Sequence, residues 1–172
     1  MDRQKLQTYL KGKNMHLITE ADDPAIAGII RANLEKYHLD IPGTAYFDPE
    51  LEHLSKFYNE DFQNRAYFIL TDEKNNVIGG AGIVDFPGFD SCAEIQKLYV
   101  ADGWKGQGYG RKLMQAVQDC ARMAGFRRLY LETHSNLHTA LRMYEKYGFQ
   151  RIARPETVMH DTMDRFYIKQ IS

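Results

Sequence analysis

The chain has 172 residues, 44% hydrophobic and 26% charged, a size and balance that suit one domain able to bury its own core. Its formal charge of −1 lacks the concentrated basic excess of a nucleic-acid binder. The two cysteines, Cys92 and Cys120, lie outside any C-x-x-C spacing, so neither a disulfide framework nor a metal site is indicated and a reducing compartment fits.

The N-terminal stretch MDRQKLQTYLKGKN lacks the apolar centre of a signal peptide, and no run of eighteen apolar residues occurs anywhere. Both observations argue against secretion and against a membrane span. Residues 1–14 are mostly polar and read as a short helix or a frayed extension ahead of a single domain over 15–172. Met15 to Ile18 reads as a first strand. ADDPAIAGIIRANLEKY follows as a helix, with Asp22 or Asp23 as its cap, Pro24 at the first helical position, and Ile26, Ile29, Ile30 and Leu34 as its buried stripe. Residues 38–47 read as loop, and Asp48 with Pro49 opens a second helix through Leu51, Leu54 and Phe57. Ala66 to Thr71 and Val77 to Phe86 are strands joined by a hairpin with Asn75 and Asn76 at its tip. Pro87 to Asp90 turn the chain into the strand Cys92 to Val100. A helix over 107–124, a strand over 127–133, a helix over 137–147, and strands over 149–154 and 164–170 complete the chain. The order β-α-α-β-β-β-α-β-α-β-β, without repeat or linker, makes a mixed sheet with helices on both faces.

The most informative junction is EIQKLYVADGWKGQGYG, which runs a strand into Gly106, Gly108 and Gly110 just before an amphipathic helix with Leu113, Val117, Cys120, Ala121 and Ala124 at helical spacing. Each glycine in a helical first turn costs about 1 kcal/mol relative to alanine, so three together cost about 2 to 3 kcal/mol. A ligand that must approach the backbone closely accounts for that cost. The first amides of a helix lack internal partners and sit at the positive end of its dipole, which makes this junction a phosphate cradle. The dinucleotide fingerprint G-x-G-x-x-G fails, because Arg111 or Leu113 falls where its last glycine belongs. The triphosphate loop G-x-x-x-x-G-K-[ST] is absent too.

Lys105-Gly106-Gln107-Gly108-Tyr109-Gly110 resembles the acyl-CoA loop [RQ]-x-x-G-x-[GA] of the GCN5-related N-acetyltransferases, the GNAT superfamily, with lysine at the first position. RRLYLETHSNLHTALRMYEKYGF, Arg127 to Phe149, is similar to the family's fifth strand, fourth helix and Tyr-x-x-x-Gly-Phe ending, with Ala140 as its small residue and Tyr144 as its tyrosine. The asparagine common in the family falls at Leu137 here, so the nearby Asn136 is read either as a cofactor contact or as an N-cap. The resemblance extends over roughly residues 15 to 170. Through the D-P-x-L-x-x-L segment Asp48 to Leu54 it is closest in kind to small bacterial members of unassigned substrate.

The resemblance implies an α/β fold built on a mixed, mostly antiparallel sheet of about seven strands, splayed between the fourth and fifth, with about four helices on both faces. It implies acetyl-CoA as donor, coenzyme A as product and no metal. The pyrophosphate would lie on Lys105 to Arg111 and the pantetheine arm along the main chain of Leu98, Tyr99 and Val100. Arg122, Arg127 and Arg128 read as a solvated helix end or as contacts for the 3′-phosphate of coenzyme A.

Transfer to an amine needs a proton removed from a group of pKa about 10.4 and one supplied to a thiolate of pKa about 8.5. By resemblance Tyr144 is the acid and Glu94 the base acting through water, with Glu132 as rival; His134, His138 and His160 qualify by residue type. YHLDIPGTAYFDPELEHL, with Tyr37, Tyr46, Phe47, Asp40, Asp48 and Glu50, would border the acceptor pocket, whose aromatic and acidic character suits a small amine or amino-acid-like molecule. The expectation is a cytoplasmic N-acetyltransferase, with no nucleic-acid or membrane partner and a homodimer admitted by resemblance. The alternatives are a CoA-binding sensor without catalysis and a protein or peptide N-acetyltransferase.

Overall fold

Seven segments rich in β-branched and aromatic residues form one sheet in the computed structural model, which describes residues 1–158 and 162–171. The strands are β1 (Met15–Leu17), β2 (Arg65–Thr71), β3 (Val77–Asp85), β4 (Cys92–Val100), β5 (Arg128–Thr133), β6 (Gln150–Ile152) and β7 (Arg165–Gln170). Their spatial order is β1-β2-β3-β4-β5-β7-β6. Every neighbouring pair is antiparallel except β4 and β5, which run parallel.

Five α-helices cover the two faces: α1 (Arg3–Leu10), α2 (Asp23–Lys36), α3 (Leu54–Glu60), α4 (Tyr109–Met123) and α5 (His138–Lys146). On one face α1 and α4 bury Leu6, Leu10, Leu113, Met114 and Val117 against Phe68, Leu70 and Leu131. On the other, α2 and α3 bury Ile26, Ile30, Leu34, Leu54 and Tyr58 against Tyr67 and Ile69. Each such aliphatic or aromatic side chain contributes about 1.5 to 3 kcal/mol when fully buried. The first ten residues are thus integral to the fold: Asp2 caps α1 by accepting from the Lys5 amide, and Leu6 and Leu10 belong to the core.

Several boundaries differ from the sequence reading, two of them for clear physical reasons. The second helix begins at Leu54, after a 3₁₀ turn over Leu51–His53, because Asp48 and Glu50 hold the Lys97 ammonium instead of capping a helix. The helix-opening function passes to Asp23, whose carboxylate accepts the Ser55 amide at 2.8 Å and its hydroxyl at 2.6 Å, so α2 caps α3 from outside. The long central helix starts at Tyr109 because Gly108, its N-cap, has φ +87°, a left-handed conformation. Only Gly110 therefore lies inside the helix. The third strand reaches Asp85 and the short β6 stops at Ile152.

The splay between β4 and β5 is visible in the register. Cys92 to Ile95 pair with Arg128 to Leu131; beyond Ile95, β4 continues to Val100 without β5 beside it, while β5 turns its other edge to β7 through Thr133. A bulge marks the parting. Gly82 pairs with Gln96 and Gly80 with Tyr99, so Lys97 and Leu98 together oppose Ala81, and Lys97 takes φ +49°. That conformation costs a non-glycine residue about 1 to 2 kcal/mol.

Candidate active site

The opening between β4 and β5 leads into a cavity of about 680 Å³ bounded by β4, β5, α5, the glycine loop and the C-terminal half of α2. Of the expected site residues, Leu98, Tyr99, Val100, Lys105, Gly106, Gly108, Gly110, Arg111 and Tyr144 line it. Glu132 lines it as well; Glu94, Gln107, Tyr109 and Asn136 do not.

The glycine loop forms the cradle at one end. Lys105 donates its amide to Asp102, and the next main-chain amide with a main-chain acceptor is Lys112, which donates to Gly108 at 3.0 Å. Among the described residues the six amides from Gly106 to Arg111 have no main-chain acceptor. Gly106 and Gly108, at φ +75° and +87°, aim the loop through left-handed conformations, and a Cβ on either would meet no protein atom within 4 Å. The space over those amides is open. It suits an anion, and the positive end of the fifteen-residue α4 favours one. Lys105 stands beside it, ion-paired with Asp102 at 2.5 Å and 5.5 Å from the Tyr37 ring centre. Asp102 is held below the usual carboxylate range by Lys105 and Lys36.

Tyr144 reaches the cavity from α5. It is 7% exposed, with its ring packed on Phe149 and Tyr167 at centroid distances of 6.0 and 6.2 Å. Burial pushes its phenol up to about 12, so the hydroxyl stays protonated at neutral pH.

The two carboxylates stand on the same sheet face at the parting of the strands. Glu94 pairs in register with Tyr130, two residues before Glu132. Glu94 is raised from 4.5 to about 7, chiefly by burial; the bond from Gln96 opposes this, the charge of Glu132 adds to it and Lys97 opposes it. Glu132 accepts from the Tyr130 hydroxyl at 3.1 Å. The Lys97 side chain, 8% exposed, is ion-paired with Asp48 at 2.6 Å and Glu50 at 3.3 Å.

Several expected contacts are committed elsewhere. Asn136 donates its side-chain amide to the Tyr37 carbonyl at 3.1 Å, and Leu137 occupies the N-cap of α5 without a side-chain bond, so Asn136 ties α5 to the end of α2 and caps nothing. Arg122 donates to the Ile171 carbonyl and to Asp119 and Arg128 to the Asp90 carbonyl. Arg122 sits at the C-terminal end of α4, roughly 20 Å from the cradle at 1.5 Å per residue. Tyr46 donates to Glu35 at 2.7 Å, while Tyr37 lines the cavity. His134 accepts the Asn136 amide, His138 is exposed at the start of α5, and His160 lies outside the described residues. Sequence reasoning missed Asn33, whose side-chain amide donates to the Val100 carbonyl at 3.1 Å and pins α2 to the end of β4.

Residues 29–149 match the model of the acetyltransferase (GNAT) family. The chain belongs to that family. It is 36% identical over 140 residues to an uncharacterized N-acetyltransferase of Escherichia coli (strain K12), across 80% of this chain and 82% of that one. A GNAT-family acetyltransferase of Staphylococcus aureus Mu50 shares the fold with a TM-score of 0.78 at 20% identity, over 92% of this chain and 99% of that chain. A Salmonella typhimurium protein solved with acetyl-CoA as its cofactor does so with a TM-score of 0.70 at 21% identity, over 92% and 93%. The chain is accordingly a GNAT acetyltransferase, and its mixed sheet with the parallel β4–β5 pair is the expected fold. Among the described residues the α-helices number five where about four were expected, because residues 3–10 add α1. Among the described residues no helix is long and apolar enough to cross a membrane.

Proposed function

We propose that the chain transfers the acetyl group of acetyl-CoA to a primary amine of a small molecule or amino-acid-like acceptor, by direct attack in a ternary complex. The observation that carries this reading is the joining of six unpartnered amides at Gly106 to Arg111 to an unpaired stretch of β4 in one cavity. With a pyrophosphate on those amides, the main chain of Leu98, Tyr99 and Val100, unpaired with β5, would hold the pantetheine arm. Acetyl-CoA would supply an acyl group activated as a thioester.

The remaining chemistry belongs to the chain. An N–C bond forms as the amine attacks and the C–S bond breaks. Glu94, raised to about 7, suits the base, since a general base works best near the operating pH. It does not itself line the cavity, so the amine proton would reach it through water. Tyr144 holds a proton at its hydroxyl for the departing thiolate. Glu132, a carboxylate lining the cavity, favours a cationic acceptor. Asp48 and Glu50 are engaged by Lys97 and contribute less to that preference than the sequence suggests. The buried free thiols of Cys92 and Cys120 support a reducing, cytoplasmic setting.

Thiol release from acetyl-CoA, measured across a panel of small amines and short peptides, tests the reading. Release that rises with a small amine and yields its N-acetyl product is expected. Binding of coenzyme A with no acceleration by any amine would make the chain a binding module.

A further inference from the structure

β3 carries three glycines where it pairs with β4. Gly79, Gly80 and Gly82 fall within Val77–Asp85, and none has a positive φ, so backbone conformation does not call for glycine. Close approach does. A Cβ on Gly82 would stand 2.6 Å from the Tyr58 hydroxyl oxygen, and one on Gly80 would stand 2.5 Å from the Tyr67 ring. The two tyrosines lie across this bare surface with ring centres 5.0 Å apart, and both are buried. Each sends its hydroxyl to β4 at the bulge. Tyr67 donates to the Lys97 carbonyl at 2.7 Å, bracing the left-handed residue. Tyr58 donates to Oε1 of Gln96 at 3.0 Å, and Nε2 of Gln96 donates to Oε2 of Glu94 at 2.9 Å.

With Glu94 ionised, this chain of bonds has one polarity. Burial holds the Tyr58 phenol well above its ordinary range, the charges of Glu94, Glu50 and Asp48 add to that, and Arg65 opposes it. The hydroxyl therefore keeps its proton at any working pH and donates it to Oε1 of Gln96. Turning the amide over would set its oxygen against the ionised carboxylate, which has no proton to donate. The Gln96 amide is keyed from behind by a tyrosine that only the glycine at position 82 admits.

We propose that Gln96, keyed by Tyr58 across the glycine-stripped β3, is the positioning residue for Glu94: it holds Oε2 as a hydrogen-bond acceptor and leaves the other oxygen to take the amine proton. This rests on the reading of Glu94 as the base. A bond given to a carboxylate favours its charged form, so Gln96 counters the burial that would otherwise keep Glu94 protonated. The groups around Glu94 are Glu132 and Tyr130 on β5, Lys97 on β4 and, behind Gln96, Tyr58 on α3; of these charges Glu132 works against ionisation and Lys97 for it.

The test combines two readouts on Gln96→Leu and Tyr58→Phe: the carboxyl ¹³C titration of Glu94, assigned with Glu94→Gln, and kcat/KM against pH per unprotonated amine. In Gln96→Leu the titration midpoint and the acid limb are expected to move up together by about one pH unit, with the high-pH plateau within about threefold of wild type. Tyr58→Phe leaves the glutamine unkeyed and is expected to move both by less in the same direction. A purely structural role would lower the plateau and leave midpoint and limb in place, and that result in both folded variants overturns the proposal. If Glu94→Gln abolishes the limb while Gln96→Leu leaves it unmoved, the positioning role alone fails. If Glu94→Gln keeps the limb, the base reading fails and takes the proposal with it.

Discussion

Replacing Glu94 by glutamine is expected to stabilise the fold at high pH and not at low pH. The carboxyl is raised from 4.5 to about 7 in the folded chain, mainly by burial. Between those values the unfolded chain releases this proton while the folded chain keeps it, so the folded state binds more protons and stability falls as pH rises. Below the window both states are protonated and the group contributes nothing. Above it both are ionised, and the folded state carries the whole penalty. At about 1.4 kcal/mol per unit of displacement the full effect is roughly 3 kcal/mol, and partial exposure of the side chain trims it to about 2 to 3 kcal/mol. Glutamine removes the charge and keeps an oxygen that can accept from Gln96. Urea unfolding of wild type and Glu94→Gln at pH 4.5, 6 and 8 measures this directly, read as the difference between the two proteins at each pH. The difference should grow in favour of the variant by about 2 to 3 kcal/mol across the series. A difference independent of pH would refute the argument that burial displaces this carboxyl.

Gly108→Val is expected to weaken coenzyme A binding at least tenfold, about 1.4 kcal/mol, because the side chain disfavours φ +87° and intrudes on the amides; unchanged calorimetric affinity in a folded variant would remove this site. Tyr144→Phe should keep the fold and coenzyme A affinity while lowering turnover about 100-fold. Turnover within about twofold, with chemistry rate-limiting, would make Tyr144 a packing residue. Gly82→Ala should cost about 1 to 3 kcal/mol in unfolding free energy, since its Cβ would stand 2.6 Å from the Tyr58 hydroxyl oxygen. A neutral result would show that the tyrosines do not depend on the bare strand.

The parts of this molecule that were legible in its sequence are those fixed by local patterning. The glycine loop, the stripe of α4 and the strand segments flanking them follow from short-range period and turn chemistry, and Tyr144 follows from the resemblance of its Tyr-x-x-x-Gly-Phe segment to the family's. What could not be read depends on contacts between distant segments. Asp48 and Pro49 look like a helix start until Lys97, far along the chain, draws Asp48 and Glu50 away. Lys97 carries no local mark of its left-handed conformation, which comes from the bulge opposite Ala81. Asn136 sits where a helix cap belongs, yet its partner is the Tyr37 carbonyl on another helix. The glycines of VIGGAGIVD were a readable signal, since glycines in a strand mark a close approach; the tyrosines that approach Gly80 and Gly82, Tyr58 and Tyr67, are visible only in three dimensions.

The most direct test of the central claim is a titration of ¹⁵N-labelled protein with coenzyme A, following the backbone amide signals. The largest shifts, with slowed hydrogen exchange, are expected at Gly106 to Arg111, with a second group along Gln96 to Val100. Saturable binding that leaves both stretches unmoved would contradict the placement of the pyrophosphate on the glycine loop and of the arm along the unpaired strand.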